Sequence, residues 1–354
     1  MDDQTRARRD RCTRFLAGDG LVPPAEQLAA VPSGTVPDVY GDGGVVAELE
    51  RYVADLFAKP AAVFLPSGTM AQGATLRVHA DSRGQRTVLW HPQCHLDTHE
   101  LGAHTRLHGL VGRPVGDRDR LLTRADLEAV AEPAAALLLE LPQRDLGGQL
   151  PAWADLVDQL GWATDRGLAT HLDGARLWEA AAGYGRPPGE IAAQFDSVYV
   201  SFYKGIGALP GCCVAGSAEL VAQVREWRRR LGGTLYGLWP AAASALALLP
   251  GRLAEMPARL DHARAVADVL RELPGVRVVP DPPQTPMMHL LLRVSADRFA
   301  DNARRLAERQ LIWVWPEATP TADPDVVRVE LGVGRATCSL SVSTVAATVA
   351  ALVA

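Results

Sequence analysis

From about residue 61 onward, short and nearly all-apolar runs alternate with longer stretches whose apolar positions recur at helical spacing. The runs at 61–65, 87–90, 134–141, 168–172, 197–201 and 212–215 are apolar on both parities, the pattern of strands covered on two faces. Helical spacing marks 123–132, where Thr123 can cap the first turn, and 153–166, which Gly167 closes. Strands and helices in alternation predict βα units and a mostly parallel sheet.

After Pro250-Gly251 the rhythm changes to a helix, strands at 276–279 and 287–294, a helix at 296–310, a short strand at 326–331 and a terminal helix. This predicts a second, smaller α+β unit. Residues 1–45 carry many turn formers and little periodicity, and are expected to wrap over the large domain. The expected organisation is an N-terminal arm (1–45), a large domain (46–250) and a small C-terminal domain (251–354). The longest low-polarity stretch, 238–249, is Ala-rich with Pro240 near its start, and reads as a buried helix. A membrane helix would want about 18 uninterrupted apolar residues.

With 48% apolar and 22% charged residues, the 354-residue chain has ordinary globular composition. A net charge of -5 gives no general attraction to nucleic acid or anionic lipid, so a small-molecule partner is expected. Five scattered cysteines without C-x-x-C spacing argue against a disulfide framework or a zinc site and fit a cytoplasmic protein. The N-terminus lacks the apolar core of a secretory signal.

The candidate chemistry sits at strand ends. In His171-Leu172-Asp173-Gly174-Ala175-Arg176 an apolar strand delivers Asp173 just before a helix. The next such strand ends in Phe202-Tyr203-Lys204-Gly205 and delivers Lys204 to the same edge, where ligands of open α/β sheets bind. An amine for a Schiff base and a carboxylate to keep a pyridinium protonated are what pyridoxal 5'-phosphate (PLP) requires. Taken singly, Asp173 could be a helix cap and Lys204 a phosphate-binding lysine. The glycines after Lys204 lead into another strand and not into a helix, against a nucleotide loop.

These stretches resemble the threonine aldolase and β-eliminating lyase family of fold-type-I PLP enzymes, from Asp38 through Arg230 and again around Arg328. Asp38-Val39-Tyr40-Gly41-Asp42 is similar to the family's D-x-Y-G-D entry segment, and Ser67-Gly68-Thr69 to its phosphate-binding turn. The resemblance implies that Lys204 carries the cofactor and Asp173 holds its ring nitrogen. It further implies that Ser67, Gly68 and Thr69 bind its phosphate, that His95 stacks on its ring and can exchange protons with the substrate, and that Arg176 lies near its ring oxygen. Arg328 resembles the arginine that pairs with the substrate carboxylate, with Arg335 a competitor nearby.

Family members of aldolase type carry a histidine in E-N-T-H-N, where this chain has Glu140-Leu141-Pro142-Gln143-Arg144. Gln143 can hydrogen-bond a substrate hydroxyl but is no base near neutral pH. Tyr203 stands where a serine is usual, Tyr236 where an arginine reaches the phosphate, and the N-terminal R-S-D-T-x-T signature is blurred in Arg9–Arg14. The leading expectation is aldolase-like cleavage of a β-hydroxy-α-amino acid to glycine and an aldehyde. Alternatives are β-elimination, other PLP chemistry such as transamination or racemisation, and a non-catalytic PLP-binding scaffold. No metal is expected at His95, His99, Glu100 and His104, and a homodimer or homotetramer is implied by the resemblance.

Overall fold

The structure is a computed structural model that describes residues 1–354. Its chain divides into two compact units: residues 24–143 with 150–254, and residues 1–23 with 144–149 and 255–354.

The first unit is built on a seven-stranded sheet. Its strands are β1 (Ala61–Leu65), β2 (Thr87–Trp90), β3 (Val111–Pro114), β4 (Ala136–Glu140), β5 (Ala169–Gly174), β6 (Ser197–Ser201) and β7 (Cys212–Gly216). They lie in the order β1-β7-β6-β5-β4-β2-β3. Only β7 runs antiparallel to its neighbours, so the sheet is mixed and mostly parallel, as the alternating pattern predicts. All of β5, β6 and β7 is buried, in keeping with runs that are apolar on both parities. Thr123 caps the Arg124–Glu128 helix in a capping box with Asp126, shorter than the sequence predicts.

The edge strand β1 is pinned through its backbone. Glu50 Oε1 accepts from Phe64 N at 2.8 Å, while the fully buried Arg228 donates to Phe64 O at 2.8 Å. Asp38 turns the D-x-Y-G-D segment by accepting from the N–H groups of Gly41 (2.7 Å) and Leu238 (2.8 Å). Gly41 has φ +82 and packs on the Arg228 guanidinium, so a side chain there would be both strained and crowded.

The second unit holds a four-stranded antiparallel sheet. It comprises β8 (Val276–Val279), β9 (Met287–Arg293), β10 (Thr319–Pro320) and β11 (Val326–Gly332), in the order β10-β11-β9-β8. Helices Ala296–Gln310 and Val342–Val353 contribute Phe299, Leu306, Val345 and Val349 to its core.

Two features differ from the sequence reading. The first 23 residues, expected as part of an arm on the large domain, belong to the C-terminal unit: Arg14–Phe15 pairs in parallel with Ile312–Trp313, and Leu16 is buried in that unit's core. Backbone pairing and one apolar anchor suffice, and neither leaves a periodic signal. The helix Trp239–Leu270 runs unbroken through Pro250, Gly251 and Pro257, and the division falls after residue 254. Proline costs a helix one hydrogen bond, and Pro250 and Pro257 stand at exposed positions where water can satisfy the freed carbonyls. No helix is long and apolar enough to cross a membrane.

Candidate active site

The C-terminal edge of the large sheet gathers the strand-end residues. Strand β1 leads through Pro66 to Ser67, the N-cap of the helix Gly68–Arg83. The Ser67 side chain makes no capping hydrogen bond, although its carbonyl accepts from Ala71 N at 3.1 Å, so the first-turn N–H groups of a 16-residue helix keep their capacity for an anion. Gly68 is required here: a Cβ would overlap the hydroxyl of buried Tyr199.

Asp173 ends β5 with 2% exposure, and its Oδ1 accepts from Ala175 N at 3.0 Å. Across the parallel ladder it faces Glu140 at the end of β4. The end of β6 is fixed by Trp178, whose Nε1 donates to Ser201 O at 3.0 Å. Lys204 follows in a tight turn, its carbonyl accepting from Gly207 N at 3.1 Å, and its Nζ stands 5.9 Å from the centre of the Tyr203 ring.

Ser67, Gly68, Thr69, His95, Asp173 and Lys204 line one pocket of about 210 Å³. Of the residues singled out in the sequence, these are brought together. Arg176 precedes the helix Leu177–Tyr184, and its positive charge acts on the Tyr203 phenol, which burial pushes up overall. Gln143 is 4% exposed, and its amide donates to Gln93 O (3.3 Å) and Glu140 Oε2 (3.2 Å). Tyr236 is 73% exposed and packs edge-on against Tyr40.

Arg328 belongs to the other unit. It lies on β11 opposite Leu291 of β9 and Thr319 of β10, on the face away from buried Val327 and Val329. Glu330 shares that face and pairs with Arg144 at 2.7 Å. Nearby His289 is lowered to about 4, by burial first and then by the Arg328 charge.

Three further groups reach the pocket without having been chosen from sequence: Glu100, Gln72 and Tyr199. Glu100 sits behind the short helix His95–Thr98, its side chain 5% exposed and its Oε1 4.0 Å from His95 Nε2. Burial pushes its carboxyl up to about 7, a hydrogen bond to Thr69 and the Lys204 charge opposing and Asp173 adding to the rise. Gln72 Oε1 accepts from His171 Nε2 (2.6 Å), His171 Nδ1 meets Ser197 Oγ (2.7 Å), and Ser197 Oγ meets His79 Nε2 (2.7 Å). Burial lowers His171 to about 3 and His79 to about 4, so both rings are neutral. His171 could have been noticed, because it lies two residues before Asp173 on the same strand face.

Comparison with known proteins identifies the family and the fold. The beta-eliminating lyase family profile matches residues 25–293. The Arabidopsis thaliana protein named "Probable low-specificity L-threonine aldolase 2" is 30% identical over 318 residues, 86% of this chain and 89% of that one. A solved structure from Exiguobacterium sp. 255-15, described as a candidate aromatic amino acid beta-eliminating lyase/threonine aldolase, superposes with a TM-score of 0.93. It is 34% identical, and the match covers 99% of both chains. A candidate L-allo-threonine aldolase of Listeria monocytogenes EGD-E gives a TM-score of 0.92 at 33% identity, covering 98% of this chain and 97% of that one.

Proposed function

This chain belongs to the threonine aldolase and beta-eliminating lyase family of fold-type-I enzymes, and from that premise we propose that it is a PLP-dependent carbon–carbon lyase cleaving a β-hydroxy-α-amino acid to glycine and an aldehyde. The observation that carries this reading is the convergence of Lys204, Asp173 and an uncapped helix N-terminus on one pocket.

The residues present fit the cofactor. Close approach of an anion to the Gly68 backbone needs the absence of a Cβ, and the Tyr199 hydroxyl enforces that absence. The helix N-terminus with the Ser67 and Thr69 hydroxyls suits a phosphate. The buried Asp173 carboxylate suits a protonated ring nitrogen, and Lys204 offers the amine that would hold the group covalently. His95 gives a flat ring for stacking, and Arg176 a positive charge for the ring oxygen. When bound, PLP supplies a sink for the electron pair left on Cα.

The remaining tasks fall to the chain itself. Arg328 would pair with the substrate carboxylate, for which a forked guanidinium is suited. Gln143 would orient the β-hydroxyl by a hydrogen bond without taking its proton. That substitution also favours a second reading, β-elimination or other chemistry begun by loss of the α-proton, for which the Lys204 amine is an available base. A homodimer or homotetramer in the cytoplasm completes the proposal.

Product analysis decides between them. Incubation with L-threonine, L-allo-threonine, phenylserine and L-serine should release glycine and the matching aldehyde. Keto acid and ammonia without glycine would reject the aldolase reading in favour of elimination. A PLP-loaded protein inert to all four would reject both and leave a binding scaffold.

A further inference from the structure

Cleavage between Cα and Cβ takes one proton from the β-hydroxyl and returns one to Cα of glycine, so the site needs a group to hold that proton in between. Gln143 cannot hold it, and its amide is already donating to Gln93 and Glu140. Among the ionisable groups of the pocket, Asp173 and Lys204 are committed to the cofactor on the reading above. Burial pushes the phenols of Tyr199 and Tyr203, which also lines the pocket, above their ordinary value, so both stay protonated. His95 and Glu100 remain, side by side at 4.0 Å.

We propose that Glu100 is the proton acceptor behind His95. The β-hydroxyl proton passes to one ring nitrogen of His95 while Nε2 gives its own proton to the Glu100 carboxylate. The O–H pair becomes the second carbonyl bond of the aldehyde, and the Cα–Cβ pair stays on the glycine fragment. The reverse shift returns a proton to Cα, so Glu100 ends as it began. This rests on the aldolase reading.

The geometry suits a store. The Glu100 side chain is 5% exposed yet lines the pocket, and Thr69 holds it by a hydrogen bond. The charged or titratable groups around it are His95 on its own segment, Asp173 from β5, Tyr199 from β6 and Lys204 beyond β6, with Tyr203 lining the same pocket. A carboxyl that exchanges its proton near neutrality can both accept and return it, which an ordinary carboxylate does poorly. The 4.0 Å separation needs a small side-chain rotation or one bridging water.

The test uses the PLP-loaded protein and its Glu100→Gln and Glu100→Asp variants. With 13C-labelled glutamate, NMR should show one carboxyl titrating near 7, as its pKa is pushed up to about 7, and Glu100→Gln should lack it. Glu100→Gln should keep the cofactor absorbance and hold KM for L-threonine within about 3-fold. Its kcat should fall by about 100-fold and lose the inflection near neutral pH, while Glu100→Asp regains part of the rate. Wild type that cleaves threonine, with Glu100→Gln matching its kcat across pH, would overturn the role of Glu100 alone. Wild type that releases no glycine would overturn the aldolase reading and this inference with it.

Discussion

Gly68 and Tyr199 are locked together: a Cβ on Gly68 would overlap the Tyr199 hydroxyl and stand 3.0 Å from the ring carbon that bears it. The helix N-terminus can therefore present bare backbone to the pocket only while residue 68 is glycine. Gly68→Ala is expected to weaken PLP binding by about 10-fold or more and to cost about 1–3 kcal/mol of stability through overpacking. Adding Tyr199→Phe removes the overlapping oxygen but leaves the 3.0 Å contact, so the double variant should recover only part of the loss. Absorbance titration with PLP measures this, and undiminished binding by Gly68→Ala would show that the turn is not where the phosphate is held.

The chain Gln72–His171–Ser197–His79 has one consistent direction of donation. Gln72 Oε1 can only accept, so His171 donates from Nε2 and its Nδ1 accepts the Ser197 hydroxyl, whose oxygen accepts from His79 Nε2. Ser197→Ala would strip a partner from two buried imidazoles at once, since Ser197 and His171 are 0% exposed. Each orphaned group costs about 1–3 kcal/mol, so a loss of roughly 2–6 kcal/mol is expected in urea denaturation. A loss below about 1 kcal/mol would mean that the network adds little to the native state.

What was legible in the sequence follows from where each residue sits. Lys204, Asp173 and the Ser67–Thr69 turn end strongly apolar strands, so the same pattern that predicts the sheet points to its functional edge. Strand β3 leaves no mark in the sequence because Val-Gly-Arg-Pro is an exposed sheet edge with no alternation to read. Glu100 stands out in the sequence only beside possible metal-binding histidines, since its surroundings in the pocket are set by Thr69, Asp173 and Lys204, which come from distant elements. Leu16 carries no local signal for its place in the C-terminal core. Periodicity reports which face of an element is buried, and the partner that covers it has to come from the fold.

Buried histidines should give the protein a steep acid limb. His79, His108 and His289 are lowered to about 4 and His171 to about 3, in each case chiefly by burial. Their folded-state values lie below the unfolded value near 6.5, so the unfolded chain binds protons first. The stability they contribute is whole above about pH 6.5 and is lost as pH falls toward 4. By pH 5 each would account for about 1–2 kcal/mol, and together they approach the net stability of an ordinary domain. Glu100 runs the other way: its raised value means that stability is lost as pH rises from the ordinary carboxylate range through about 7. In protein freed of PLP, urea denaturation should show unfolding free energy falling from pH 6.5 to 4.5, with a shallower slope in His79→Gln. Glu100→Gln should be more stable than wild type at pH 8 and equal to it at pH 4. Unfolding free energy that stays flat between pH 6.5 and 4.5 would show that these imidazoles take up protons inside the folded protein.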